Sequence, residues 1–412
     1  MADSRAAHEL LTGRGPSGRG DILPEPTGRC GPEGIGHYHG EHYYGIPPLK
    51  HSHYKWKTSA AFLCNGIGGG SQVLATIMDL FGREEDRYLI RMGRYMALAG
   101  GSISPALLIG ALHKKQRWYN MLRMFKKTSP MSVGIWAITP FSICSGFTAV
   151  GQLLEDLGYE KSGRRMSSAF SLPAVILGGM VTSYMGTELE ETCMPLWASA
   201  HPYMAPLYAA TGATNAAAAL QIAAATDNTS TETRRRLNNY AIAAETVELA
   251  LCAVIERRWR SLPENRFYIR SSYASLFRYG VMGLGSLAPL ALKALPFDSN
   301  GLSRQRSLLA AAAKLAGGAI LQTVMVYAGR ESGRHAQEYF EHTQPEALSS
   351  GEPQRPVYIP EGGSPVPLAT KHRSRRRPAR PTRRRRLSSA LGMGLLTAGA
   401  ALLISVAGAK SR

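Results

Sequence analysis

The chain has 412 residues and a formal net charge of +19, from 48 Lys and Arg against 29 Asp and Glu, yet only 19% of its residues are charged and the remainder gathers into long apolar blocks. Blocks of that length argue against an ordinary soluble chain, which would divide into roughly two or three domains of about 150 residues. The five cysteines, Cys30, Cys64, Cys144, Cys193 and Cys252, are scattered and never form C-x-x-C, which argues against a zinc site, iron–sulfur ligation or a disulfide framework. The sequence therefore predicts no metal bound by this chain.

Residues 1–54 begin rich in Gly, Pro and charge with no early apolar core, so no cleavable signal peptide is expected and the segment reads as disordered or interfacial. Five of the eleven histidines fall in its second half, at His37, His39, His42, His51 and His53. Imidazoles ligate metals well, but a polar loop without helix or strand order does not preorganise them.

From residue 55 to 330 the apolar blocks have helix length. Lipid offers the backbone no hydrogen bonds, so a spanning segment must be a helix of about 20 mostly apolar residues or a strand of a closed barrel. The blocks predict helices near 58–80, 95–112, 132–154, 166–186, 194–224, 240–255, 273–295 and 307–328. The fifth is overlong and holds Pro202 and Pro206, so a bend is expected there. The run Gly66–Gly70 reads as a close-packing surface between membrane helices, since a dinucleotide loop would need a preceding strand.

Residues 331–386 turn polar, then Pro-rich, then Arg-rich, the composition of a flexible linker. The stretch 371–386 alone holds ten Lys or Arg and no acid, and without it the net charge is +9. A basic run beside a membrane segment attracts anionic lipid headgroups at about 1 kcal/mol per residue. A nucleic-acid arm would look similar, but this run abuts an apolar segment at Leu387, so membrane lipids rather than nucleic acid are the expected partner. Residues 387–412 then supply a ninth span, near 387–409. The fold class expected is all-α: a polytopic transmembrane helix bundle with an eight-helix body and a ninth, C-terminal transmembrane helix, in a multi-pass protein of the cell membrane. Lys and Arg concentrate in the connections 113–131, 256–272 and 330–386, which by the positive-inside rule places the N-terminus and the linker in the cytoplasm.

Four runs carry a resemblance. They are Tyr43-Tyr44-Gly45-Ile46-Pro47-Pro48-Leu49-Lys50 followed by Trp56; Arg117-Trp118-Tyr119-Asn120-Met121-Leu122-Arg123-Met124-Phe125-Lys126 leading into Ser129-Pro130-Met131-Ser132-Val133-Gly134; Tyr184 with Pro195-Leu196-Trp197; and Gly317-Gly318 with Ala328-Gly329-Arg330 and Ser332. In this order they resemble the polysulfide reductase membrane-subunit (NrfD-like) family over about residues 43–345, the second run being the most specific. The resemblance implies an inner-membrane subunit of a respiratory chain complex. Such a subunit exchanges electrons between a membrane quinone, menaquinone or ubiquinone, and an iron–sulfur (ferredoxin-like) subunit serving a molybdopterin catalytic subunit. The Asp-Leu-Gly-Arg-Pro that many relatives carry before the second run falls here on Ala111-Leu112-His113-Lys114-Lys115, so its acid and proline are lost.

A quinone site needs an apolar slot with one or two polar groups that bind the ring oxygens and take protons. Near the membrane surface the sequence offers His53, Lys57, Asn65 and Tyr184. The resemblance carries over best to Tyr184, because a helix-four tyrosine lines the quinone in the family. Asn65 also suits an interhelical hydrogen bond, and His53 a proton acceptor beside the quinol. Ionisable residues inside spans are costly and so draw attention: Glu245 and Glu248 share a helix face and either relay protons or form salt bridges with Lys314, while His113 stands where the family's acidic loop would be. The rival reading is a proton- or ion-conducting transporter, or a membrane anchor without its own redox site.

Overall fold

The computed structural model of the chain describes residue 49 and residues 52–227, 229–262, 265–295 and 301–334. The expected ninth helix at 387–412, the linker from residue 335 onward and the histidines His37, His39, His42 and His51 lie outside the described residues. What is described is all helical, without a strand.

Eight long helical runs follow one another: α1 Trp56–Phe81, α2 Arg87–Ala111, α3 Pro130–Asp156, α4 Glu160–Glu190, α5 Met204–Thr226, α6 Thr231–Ser261, α7 at 272–294 and α8 Gly301–Ser332. Successive helices alternate in direction. One end of the bundle therefore gathers the starts of α1, α3, α5 and α7 with the ends of α2, α4, α6 and α8. Hydrogen bonds tie this arrangement, such as Trp197 Nε1 to the Met325 carbonyl (2.6 Å) and Trp259 Nε1 to the Leu196 carbonyl (3.0 Å) at that end, and Thr233 to Asp86 (2.6 Å) at the other.

Local chemistry starts the helices as expected. Ser129 accepts from the Ser132 N–H and Pro130 takes the first position of α3, where no N–H partner is needed. Ser230 accepts from the Thr233 N–H at the start of α6. The expected fifth block is divided: a short helix, Pro195–Ser199, and a turn containing His201-Pro202 precede α5. The sixth runs well past its apolar window at both ends, because Arg234–Arg236 and Arg257–Arg260 are good helix formers that extend beyond the apolar stretch. Within α7, Leu276–Leu287 winds as a π-helix, which the apolar pattern does not signal.

Packing explains the small residues. Twenty of the 23 residues of α5 are buried, making it the central helix against α1, α4, α6 and α8. A Cβ on Gly68 would come within 2.9 Å of the Gly100 Cα, and one on Gly317 within 2.1 Å of the Gly285 Cα, so α1–α2 and α7–α8 meet backbone to backbone. The outer surface is apolar instead, with Ile103, Ile143, Phe147, Leu172, Ile176, Leu284 and Leu309 all exposed. Among the described residues, Pro130–Asp156, Glu160–Glu190 and Ser303–Ser332 are long and apolar enough to cross a membrane, and Glu84–Ala111 with Lys115–Leu122, bent by 116°, qualifies as a pair.

Candidate functional site

At the end where α1 begins, a cleft of about 230 Å³ opens between five segments: residues 53–62, the end of α2 from Pro105 to His113, the short helix Lys115–Leu122, the first turns of α3 and the last turns of α4. Its walls are mostly apolar, from Phe62, Leu108, Leu112, Met121, Ile135, Ile138 and Met185. Trp118 and Met131, both exposed, edge it. Its titratable groups are His53, Tyr54, His113 and Glu188, with Thr58 and Thr139 as further polar lining residues.

Those four are mutually arranged. The Tyr54 hydroxyl donates to Glu188 Oε1 at 2.7 Å, joining the lead-in of α1 to the end of α4. Burial, and then the charge of Glu188, push the Tyr54 phenol above its ordinary range, so it stays protonated and acts as a donor. The His53 and His113 rings meet edge to face with centroids 4.6 Å apart, both on the exposed side of the cleft. Glu188 Oε2 lies 3.8 Å from where a Cβ on Gly134 would stand, so the second carboxylate oxygen faces the α3 wall.

Of the residues expected at a quinone site, the structure brings His53 to the cleft and adds His113 beside it. The other three are not among its lining residues, and each is engaged elsewhere. Tyr184 donates its hydroxyl to the Pro130 carbonyl at 2.7 Å, and its ring stands behind Gly134, 3.2 Å from where a Cβ would be. Tyr184 thereby fixes the start of α3 against α4. Lys57 Nζ donates to the Gly110 carbonyl at 3.0 Å, satisfying one of the orphan acceptors at the end of α2. Asn65, fully buried, donates to the Val181 carbonyl at 3.3 Å, an interhelical bond between α1 and α4.

Glu245 and Glu248 lie away from the cleft, deep among α5–α8. Glu245 pairs with Lys293 of α7, while Glu248 pairs with Lys314 of α8 and accepts from Thr211 (3.0 Å) and Thr214 (2.7 Å). All four charged groups are essentially inaccessible. The Lys314 bridge is one of the two alternatives the sequence offers; Lys293 was missed, although a lysine inside the apolar block 273–295 was signal enough.

Sequence reasoning also missed Tyr54 and Glu188 as partners, since they are 134 residues apart and only the α1–α4 contact joins them. A second polar bay, of about 520 Å³, lies at the opposite end. There Arg94, 3% exposed, bonds Asp79 (2.8 Å) and Gln152 (2.8 Å) and lies 3.6 Å from Glu155. Among the described residues no three His, Cys, Asp or Glu gather as a metal site.

An alternating helix bundle with an apolar belt and a polar-edged cleft at one end defines a class of helical membrane protein. Residues 41–336 match the polysulfide reductase family (NrfD_2), and the chain belongs to that family. It is a multi-pass membrane protein, and its family fits a quinone-interacting membrane subunit of an oxidoreductase. No curated protein matches the chain.

Proposed function

We propose that the chain binds a quinone, menaquinone or ubiquinone, in the cleft beside Tyr54 and Glu188 and exchanges its electrons with an iron–sulfur subunit docked at the same end, which serves a molybdopterin catalytic subunit. The observation that carries this is the cleft: a mostly apolar slot lined by a hydrogen-bonded Tyr54–Glu188 pair and by two histidines in ring contact. A quinone ring fits such a site because it needs flat apolar contact on its faces and donors or acceptors only at its oxygens. When bound, a quinone couples two electrons to two protons.

The chain's own residues then divide the remaining work. Tyr54 Oη gives its one proton to the bond with Glu188 Oε1, which fixes the carboxylate and leaves Oε2 as the atom that takes or returns a proton at the ring edge. His53 and His113, exposed and in ring contact, carry that proton between the cleft and water. Ile135, Ile138 and Phe62 exclude water from the ring faces. Tyr184 and Lys57 position the walls through the Pro130 and Gly110 carbonyls. Lys114, Lys115, Arg117 and Arg123 form an exposed basic surface beside the cleft on which an iron–sulfur subunit docks. All eight long helices cross the membrane in this reading, with a ninth span from residues 387–412.

The rival reading, a proton or ion conductor or a plain anchor, draws on Glu245, Glu248, Lys293 and Lys314. Their pairing with each other favours a structural part for them. The deciding experiment is purification of the complete chain from native membrane, with extraction of bound quinone and identification of co-purifying subunits. Quinone and an iron–sulfur subunit are expected, and Ile135→Trp, which puts a ring into the cleft, should lose the quinone and keep the subunit. Recovery of the chain alone, without quinone, would favour the conductor.

A further inference from the structure

Helix α1 presents Thr58 and Phe62 to the cleft. Roughly half a turn round, Trp56, Ala60 and Leu63 face a different space, a groove of about 420 Å³ completed by Ser59 and by Ala319, Thr323 and Tyr327 of α8.

Two observations bear on what covers this groove. It is lined by the small side chains of Ser59, Ala60 and Ala319, which admit a helix backbone to close range where lipid supplies no hydrophobic drive. Thr323 beside them satisfies its own hydroxyl by donating to the Ala319 carbonyl at 2.8 Å, so the groove offers packing rather than a polar contact. Finally, the chain leaves α8 at Ser332, at the same end of the bundle as Trp56 and Tyr327, and continues to an apolar run that begins at Leu387. A random coil of the intervening length would span about 40 Å, so the groove is within reach.

We propose that residues 387–409 fill this groove as a membrane-crossing helix, antiparallel to α8, with Ala390, Gly394 and Ala398 against its floor. Those three are spaced four apart, so they form one small-residue face. At about 1.5 Å per residue, Gly394 reaches the depth of Leu63 and Thr323 when Leu387 lies at the level of Trp56. Arg383–Arg386 then stand among the lipid headgroups of that leaflet. The ninth span is thereby an integral part of the bundle's wall, and this holds whether or not the cleft takes quinone.

Disulfide mapping of the full chain in native membranes tests the proposal. Thr323→Cys, an exposed position that tolerates change, is combined with single cysteines stepped through 388–402. Thr323→Cys alone controls for the native thiol of Cys64. Bridging needs Cα atoms about 4.4–6.8 Å apart. The expected result is a bond within one chain that peaks at Gly394→Cys, recurs every three to four residues and disappears when Ala60→Trp fills the floor. No bond at any position, equal bonding at all of them, or bonds only between two chains at doubled mass would each overturn it. The last of these would assign the groove to a second copy.

Discussion

Glu188→Gln separates the chemistry of the cleft from its architecture. The amide keeps the side chain's shape and an oxygen for Tyr54 to donate to, but it takes up no proton. The 2.7 Å bond from Tyr54 then passes from a charge-assisted one, worth about 1.5–3 kcal/mol, to a neutral one of about 0.5–1.5 kcal/mol. Folding should lose about 1 kcal/mol, and the melting temperature in detergent should fall by no more than about 2–4 °C. Proton transfer is another matter, because removal of a positioned acceptor costs about 10²–10⁴-fold in rate. Quinol-linked turnover of the complete complex should therefore collapse while extracted quinone stays near the wild-type amount. Glu188→Asp, which keeps a carboxylate at a shorter reach, should recover part of the rate. A Glu188→Gln complex that turned over undiminished would refute the assignment of the proton to this carboxylate.

Lys314→Met should destabilise the bundle by about 3–5 kcal/mol, because it strands Glu248 with only the Thr211 and Thr214 hydroxyls; adding Glu248→Leu should restore most of the loss, read by thermal unfolding in detergent. Tyr184→Phe removes the bond to the Pro130 carbonyl and should cost about 1 kcal/mol of stability. Bound quinone should be unchanged in it, and a loss of quinone without a loss of stability would return Tyr184 to the ligand shell. Gly317→Ala should cost about 1–3 kcal/mol by pushing α8 off Gly285, with Gly283→Ala, where the nearest atom is 3.5 Å away, as the mild control.

How much of the site was legible follows from the kind of signal each residue emits. His53 stood out as a histidine at the lip of the first apolar block, and His113 as an ionisable residue in a loop of the family motif. Glu245, Glu248 and Lys314 stood out because charge inside an apolar run is expensive. Tyr184 and Lys57 were also visible, but their polar atoms turn to the Pro130 and Gly110 carbonyls, and a sequence does not say which backbone acceptor is nearest. Tyr54 and Glu188 lie 134 residues apart, and nothing along the chain pairs them.

The amino-acid order by itself determined the all-helical membrane character and the family. Both rest on properties carried along the chain, namely the length of apolar runs, the caps such as Ser129-Pro130, and a contiguous motif. Which faces of the helices meet was decided only in three dimensions. In a bundle whose members are apolar nearly all round, hydrophobic periodicity does not orient a helix, and close contacts such as Gly68 on Gly100 and Gly285 on Gly317 do. The approach of Gly69 to Gly178 between α1 and α4 places Tyr54 against Glu188, the packing of α6 on α7 pairs Glu245 with Lys293, and the cleft and the groove are left open on opposite faces of α1.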